Sequence, residues 1–118
     1  MNMAKVSENN AQQIRELLNR LELAAYGDMG SKHHQLPDVQ LFKNYARQLF
    51  VLSDNIEFQF QNGEMEMSFF NLLHDCKSDI MYDLETFEVK KTIDSQEVYY
   101  FLDSIMTKIK VIYEPLIR

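Results

Sequence analysis

The 118 residues of this chain, with a mass of 14.0 kDa and 46% hydrophobic residues, suit a single domain with one buried core. Charged residues make up 25%, and there are only three Gly and two Pro, which argues against a disordered or loop-rich protein. The net charge of −6 argues against direct binding of nucleic acid, because phosphate backbones are bound through clustered Lys and Arg. The acids are concentrated between Asp54 and Asp103, where there are twelve of them and three lysines.

A single cysteine, Cys76, allows no internal disulfide and suits a reducing compartment. The first ten residues lack the apolar core of a signal peptide, and no apolar run is long enough to span a bilayer. We therefore predict a cytoplasmic protein that does not associate with membranes. We expect one domain over residues 1–118, in which residues 1–7 could be disordered.

Two amphipathic helices are predicted in the first half of the chain. Residues 7–10 are a Ser/Asn-rich start, and Gly27 is placed to end the first helix with a positive φ angle. Pro37 and Asp38 are predicted to open a second helix, which continues to about residue 51. The first helix carries an apolar stripe at intervals of three and four residues, formed by Ile14, Leu17, Leu18, Leu21 and Ala25.

Residues 56–69 alternate between apolar and polar side chains around Asn62 and Gly63. Asn-Gly suits a two-residue type I′ turn, in which both residues need a positive φ angle. That register pairs Phe58 with Met67 and places all the apolar residues on one face of an antiparallel hairpin. The opposite face would carry the polar residues, including Glu57, Glu64 and Glu66.

A helix that begins near Glu66 is the alternative for this region. Residues 70–78 could be strand, helix or loop on sequence alone. The segment 80–91 is rich in Ile, Tyr, Thr, Phe and Val, which is typical of a third strand. The alternative helix would present a stripe formed by Met65, Phe69, Leu72, Leu73 and Cys76.

The last predicted element is a long helix that starts at Asp94, with Glu97 three residues later, and ends before Pro115. Its stripe consists of Val98, Phe101, Leu102, Ile105, Ile109 and Ile112. The predicted fold class is therefore α+β. Two N-terminal helices precede an antiparallel meander of three or four strands that contains the Asn-Gly hairpin, and the C-terminal helix packs on one face of the sheet.

Catalytic and metal-binding signals are weak. His33 and His34 are adjacent and would point apart, and His74 with Cys76 lacks the second ligand pair that a zinc site needs. Phosphate-binding loops and the common hydrolase and protease motifs are missing. We predict that the chain is not an enzyme and binds no cofactor and no metal. An enzyme that uses His74, Cys76 and nearby carboxylates is a less favoured alternative, and DNA binding through the basic residues Lys5, Arg15 and Arg20 is less favoured still.

The acidic surface favours a protein-binding function. A small acidic chain without motifs has the physical profile of a protein that occludes its target, such as a toxin-immunity protein or a phage-type inhibitor of a basic nucleic-acid-binding protein. A basic protein is therefore the expected partner. Tyr113 could be an exposed aromatic residue beside the last stripe. The predicted partner-binding residues are Glu57, Glu64, Glu66, Asp79, Asp83, Glu85, Tyr99 and Tyr100.

A homodimeric small-molecule-binding or regulatory module is the alternative function. In that hypothesis the sheet curves around an apolar pocket, whose lining would be Phe58, Phe60, Met65 and Met67.

Overall fold

The computed structural model of the chain describes residues 4–27, 37–56, 58–60, 63–88 and 95–117, and within them the side chains of 6–27, 37–56, 58, 66–87 and 96–117. Most of this part of the chain is in four helices: α1 (Glu8–Tyr26), α2 (Val39–Asn55), α3 (Gly63–Glu88) and α4 (Ser95–Tyr113). A short 3₁₀ helix, Glu114–Leu116, follows α4. The described strands are two residues long each: β1 (Ala4–Lys5) and β2 (Gln59–Phe60).

The ends of α1 and α2 follow from local capping. The Ser7 hydroxyl accepts a hydrogen bond from the Asn10 amide at 3.3 Å, and the Asp38 carboxylate accepts one from the Leu41 amide at 3.0 Å. Gly27 ends α1 with a φ angle of 71°, which a residue with a Cβ atom adopts only at a cost. The predicted starts of both helices and the predicted end of α1 are confirmed, whereas α2 continues past residue 51 to Asn55.

Neighbouring helices run antiparallel. Helix α1 also packs against α4, so the four helices form a closed ring. Along this α1/α4 contact, Glu22 meets Lys110 and Tyr26 meets Asp103, so that residue numbers rise on one helix as they fall on the other. The contacts between α3 and α4 follow the same order. Helix α2 packs on α1 and α3 and also touches α4 across the bundle. The fold is a four-helix bundle in which α3 packs mainly on α2 and α4.

The core of the bundle draws on all four helices. The stripes predicted for α1 and α4 supply many of its members, which confirms those two helices as amphipathic elements that face the core. Each such side chain contributes on the order of 1.5–3 kcal/mol by burial. The largest fully buried side chains are Ile14, Leu21, Phe42, Leu49, Ile80, Leu84, Leu102, Ile105, Met106, Ile109 and Tyr113.

Tyr113, which on sequence alone could have been an exposed aromatic residue, is buried. Its side chain is 0% exposed, and its hydroxyl lies 2.6 Å from the hydroxyl of Ser53 on α2. Ser53 donates its own proton to the Leu49 carbonyl at 2.8 Å, so Tyr113 is the donor in the pair. Burial raises the pKa of Tyr113 well above its ordinary value. Tyr113 therefore joins α4 to α2 inside the core.

Helix α3 is longer than its neighbours and extends past them. It has 26 residues, whereas α2 has 17, a difference of roughly 13 Å at 1.5 Å per residue. Lys77, beyond the midpoint of α3, pairs with Asp54 near the end of α2. The first turns of α3 pack instead on the connecting segment, where the Phe58 ring lies 5.0 Å from that of Phe69. The same segment contains β2, which pairs antiparallel with β1.

The predicted α+β fold is wrong, because α3 occupies the region assigned to the sheet. Gly63 is the first residue of α3, so the hairpin register that paired Phe58 with Met67 does not form; Asn62 lies outside the described residues. The segment 80–91, predicted as a strand, is helical through Glu88, and residues 89–91 lie outside the described ranges. Consequently α4 packs on other helices in the described part of the chain, where the prediction had placed it on a sheet.

The physical reason is the length over which each pattern holds. Alternation with period two covers only residues 56–69, whereas intervals of three and four residues continue to the end of α3. The helix alternative, predicted to start near Glu66, is confirmed in type and begins at Gly63. The buried residues of α3 that follow the helical spacing are Phe69, Leu73, Ile80, Leu84 and Phe87.

Candidate functional site

The contact between α3 and α4 is open on its outer side and forms a groove of about 350 Å³. Two of its apolar lining side chains are well exposed: Leu72 on α3 at 52% and Val111 on α4 at 68%. Singly exposed aliphatic side chains are common, but here they line one groove together, and an exposed apolar patch is more informative. We call this the α3/α4 groove, and its lining is Leu72, Asp75, Cys76, Asp79, Thr107, Lys108, Val111 and Ile112.

Three carboxylates follow the α3 side of this groove. Asp75, Asp79 and Asp83 are spaced four residues apart, which places them on one edge of the helix at successive turns. Asp75 and Asp79 line the groove and are exposed, and Asp83 lies one turn further. We call these three residues the aspartate edge. On the α4 side, the Lys108 ammonium lies 3.6 Å from the Asp83 carboxylate, so one end of the edge is partly neutralised.

Cys76 forms part of the floor of the groove and is half-buried. Burial raises the pKa of its thiol; Asp79 acts in the same direction and Lys108 opposes it. A thiol with a raised pKa is a poor nucleophile at neutral pH. His74 does not face Cys76, because two residues on a helix are about 200° apart, and His74 is exposed. Within the described residues, His74 and Cys76 therefore do not form a Cys-His pair for nucleophilic chemistry.

Metal-binding side chains do not converge in the described ranges, where no group of three or more His, Cys, Asp or Glu could hold an ion. The three carboxylates of the aspartate edge are therefore not a metal centre by themselves. His33 and His34 lie outside the described residues. The chemistry that the α3/α4 groove offers is apolar burial together with attraction of cations along one edge.

The predicted acidic row does not form a single face. Glu57 and the side chain of Glu64 lie outside the described residues, and Glu66 is exposed in the first turns of α3, away from the groove. Glu85 is exposed but lies about 120° around the helix from Asp79. Of the six predicted acids, the structure places Asp79 and Asp83 together at the α3/α4 groove.

Tyr99 and Tyr100 lie at the other end of the bundle, close to the start of α4. They are 40% and 61% exposed, and their rings pack against each other at 5.6 Å. Tyr99 also packs on Tyr26 of α1 at 5.7 Å. Tyr26 donates a hydrogen bond to Asp103 at 2.8 Å, and burial and this bond raise its pKa. These tyrosines are separate from the aspartate edge and belong to the packing of α1 on α4.

The apolar pocket of the alternative small-molecule hypothesis is not formed in the described residues. It required a sheet, and Met67 instead projects from α3 with 63% exposure. Phe58 packs on Phe69 and Phe70 at 5.0 and 6.0 Å. The side chains of Phe60 and Met65 lie outside the described residues.

A second groove, between α1 and α2, can be compared with the α3/α4 groove. Its volume is about 490 Å³, and it holds the exposed Val51 (59%) as its counterpart to Val111. Its polar lining is different, because it has a cation, Arg47, and no carboxylate. We call this the α1/α2 groove, and its lining is Gln13, Leu17, Arg47, Gln48, Val51, Leu52 and Asn55.

Comparison of the chain with protein-family models, with curated proteins and with solved structures finds no match. Within the described residues, no helix combines the length and apolarity needed to cross a bilayer. The candidate site is thus defined by its geometry alone. Sequence reasoning missed Leu72, Lys108 and Val111 as site residues, although the four-residue spacing of Asp75, Asp79 and Asp83 was a readable signal for one helical edge.

Proposed function

We propose that this chain is a small acidic protein-binding protein that acts without catalysis, by covering a basic surface of a partner protein. The observation that carries the proposal is the α3/α4 groove, in which exposed aliphatic side chains lie beside the aspartate edge. Apolar burial supplies affinity, and carboxylates attract a cationic partner and orient it.

The charge of the whole chain supports a basic partner. At −6 it repels acidic proteins and phosphate backbones, and it speeds the approach of cationic ones at low salt. The acids concentrated in residues 54–103 include every member of the aspartate edge. Occlusion of a nucleic-acid-binding surface, as in toxin-immunity proteins and phage-type inhibitors, is the form of action that these charges suit. We place this action in the cytoplasm, where the lone thiol of Cys76 would stay reduced.

The test is affinity capture of partners from the native cell lysate with three forms of the tagged protein. These are the unchanged chain, the double variant Asp75→Asn/Asp79→Asn, and the control Glu16→Gln/Glu85→Gln, which changes the net charge equally on exposed sites away from the groove. Capture is compared at about 50 and 300 mM salt, between which the screening length falls by a factor of about 2.4.

We expect a basic protein that the unchanged chain and the control retain at low salt and that the Asp75/Asp79 variant loses. Retention that is equal for all three forms would show that the aspartate edge is not used. A retained partner that is acidic, or a retention that high salt does not weaken, would contradict the proposal as well.

A further inference from the structure

The walls of the α3/α4 groove repeat with the period of a helix. On α3 the lining residues extend from Leu72 to Asp79, and on α4 from Thr107 to Ile112, so each wall is about 8–11 Å long. Side chains four residues apart form ridges with grooves between them, into which the ridges of another helix fit. A segment of about two helical turns has the length to fill this space.

The backbone chemistry of the walls also selects a helix over an extended segment. Within α3 and α4 the main-chain amides and carbonyls bond inside each helix, so the walls offer no ladder for a strand. An extended segment would bury its own N–H and C=O groups on Leu72 and Val111 without partners, at about 1–3 kcal/mol for each group. A helical segment satisfies these groups internally and presents only side chains.

The charges fix the chemistry of the two flanks of such a helix. The α3 side has Asp75 and Asp79 one turn apart, whereas on the α4 side Lys108 is paired with Asp83. A cationic flank with two Lys or Arg residues four positions apart matches Asp75 and Asp79 in spacing and in sign. A second copy of this chain is a poor occupant, because two chains of charge −6 would bring their aspartate edges together.

We infer that the occupant of the α3/α4 groove is an amphipathic helix of the partner protein, with an apolar face on Leu72 and Val111 and with two cations one turn apart on Asp75 and Asp79. The inference rests on the proposed function and specifies its partner. It differs from charge attraction alone, because it requires the apolar walls to be buried.

The test uses a fluorescent peptide of about 18 residues, long enough to be partly helical by itself. The peptide has Leu at positions i, i+3, i+4 and i+7 and two Lys four positions apart on one flank. An isomer of identical composition carries the two Lys on the face opposite the leucines. Affinities are measured by fluorescence anisotropy for the full chain and its variants.

Val111→Lys and Val51→Lys form a matched pair of variants. Both replace an exposed valine in a groove with lysine, and both raise the net charge equally, but they lie in the α3/α4 groove and the α1/α2 groove respectively. We expect Val111→Lys to weaken binding of the peptide by about tenfold or more. Val51→Lys should leave the affinity within about twofold, and the isomer should bind at least about fivefold more weakly than the peptide.

Three outcomes would overturn the inference, and each has its own meaning. If Val111→Lys and Val51→Lys weaken binding equally, or the isomer binds as well as the peptide, charge alone holds the ligand. In that case the helix is rejected, while the proposed function still stands if Asp75→Asn/Asp79→Asn weakens capture. If neither peptide displaces a captured basic partner from the chain, the partner binds through a structure other than an amphipathic helix. If the chain is recovered only as its own dimer, a second copy covers the groove.

Discussion

The two flanks of α4 are closed to different degrees. On the α1 side, Tyr26 bonds Asp103 at 2.8 Å, Glu22 bonds Lys110 at 2.8 Å, and Arg15 donates to the Ile117 carbonyl at 2.7 Å. These bridges follow the length of the contact and join α1 to α4 and to the segment just after it. On the α3 side, the Phe87 and Phe101 rings stack at 4.0 Å at one end, and the α3/α4 groove opens beyond the Lys108–Asp83 pair.

The α1 flank is closed by bonds within the chain, whereas the α3 flank is the one at which we propose that a partner binds. Along the α1 flank the polar groups are bonded to each other and the chain is held together at that side. Along the α3 flank the carboxylates of Asp75 and Asp79 face outward beside exposed Leu72 and Val111. A surface that combines exposed aliphatic groups with an excess of carboxylates is typical of an interaction site.

The largest predicted effect is a difference in the free energy of unfolding between substitutions at two nearby positions of α4. Ile109 is 0% exposed and Val111 is 68% exposed. Ile109→Ala should lower the free energy of unfolding by about 2–5 kcal/mol, because it leaves a cavity in the core. Val111→Ala should change it by less than about 0.5 kcal/mol. Urea unfolding of both variants measures the difference, and equal losses would show that the groove position belongs to the core.

Substituting the two residues of the buried Ser53–Tyr113 pair should lower stability by different amounts. Ser53→Ala leaves the Tyr113 hydroxyl buried with no acceptor, which should cost about 1–3 kcal/mol. Tyr113→Phe should cost about 0.5–1.5 kcal/mol, because Ser53 keeps its bond to the Leu49 carbonyl. Thermal unfolding of the two variants ranks them. A larger loss for Tyr113→Phe than for Ser53→Ala would contradict the assignment of Tyr113 as the donor.

The α1 flank of α4 should weaken at high pH. The folded-state pKa of Tyr26 is raised by burial and by Asp103, so folding keeps the proton on this phenol. Its contribution to stability is therefore complete below its ordinary pKa near 10 and is lost as the pH rises above that value. Tyr26→Phe should cost about 1 kcal/mol at pH 7 and should flatten the decline of stability above pH 10.

The control for this prediction is Tyr82→Phe, which makes the same change at a phenol that is 69% exposed. It should leave both the stability and its pH dependence close to those of the unchanged chain. Tyr113, whose pKa burial also raises, adds to the decline in every form that retains it. A decline above pH 10 that is the same in the Tyr26 and Tyr82 variants would show that the bond to Asp103 does not couple the flank to pH.

The smallest effect is a change of rate at the α3/α4 groove. Since burial raises the pKa of the Cys76 thiol, iodoacetamide should label it more slowly at neutral pH than in the unfolded chain. Lys108→Met removes the cation that opposes this shift and should slow labelling further, by less than about tenfold. Lys110→Met, a control on the same helix, should not. Faster labelling in the Lys108 variant would show that Lys108 does not act on the thiol.

Three of the four helices could be predicted from the sequence, because each has a cap and a stripe that can be recognised within its own segment. Helix α3 was predicted only as the alternative to a hairpin, because apolar residues occur around its whole circumference. Met67, Leu72 and Tyr82 are all more than half exposed, and they obscure the buried stripe. In the first turns of α3 these additional apolar residues alternate with polar ones, as in a strand. Asn62–Gly63 also suits a hairpin turn, which favoured the strand prediction.

The candidate site could be predicted only in part. Local acid density identified Asp79 and Asp83, since charge is visible in sequence. The roles of Leu72 and Val111 depend on how α3 lies beside α4, which no local pattern encodes. The burial of Tyr113 could not be predicted either. It lies beside the apolar stripe of α4, and its hydroxyl is bonded by Ser53 of α2, a contact that no local pattern encodes.

The most direct test of the docking surface is an NMR titration of the ¹⁵N-labelled chain with the peptide that has two lysines on one flank. We predict saturable shifts of amide signals that are largest at residues 72–79 of α3 and 107–112 of α4, and small at Arg47 and Val51. Shifts that are largest at the α1/α2 groove or around Tyr99 and Tyr100, or shifts that never saturate, would contradict the assignment of the α3/α4 groove as the binding surface.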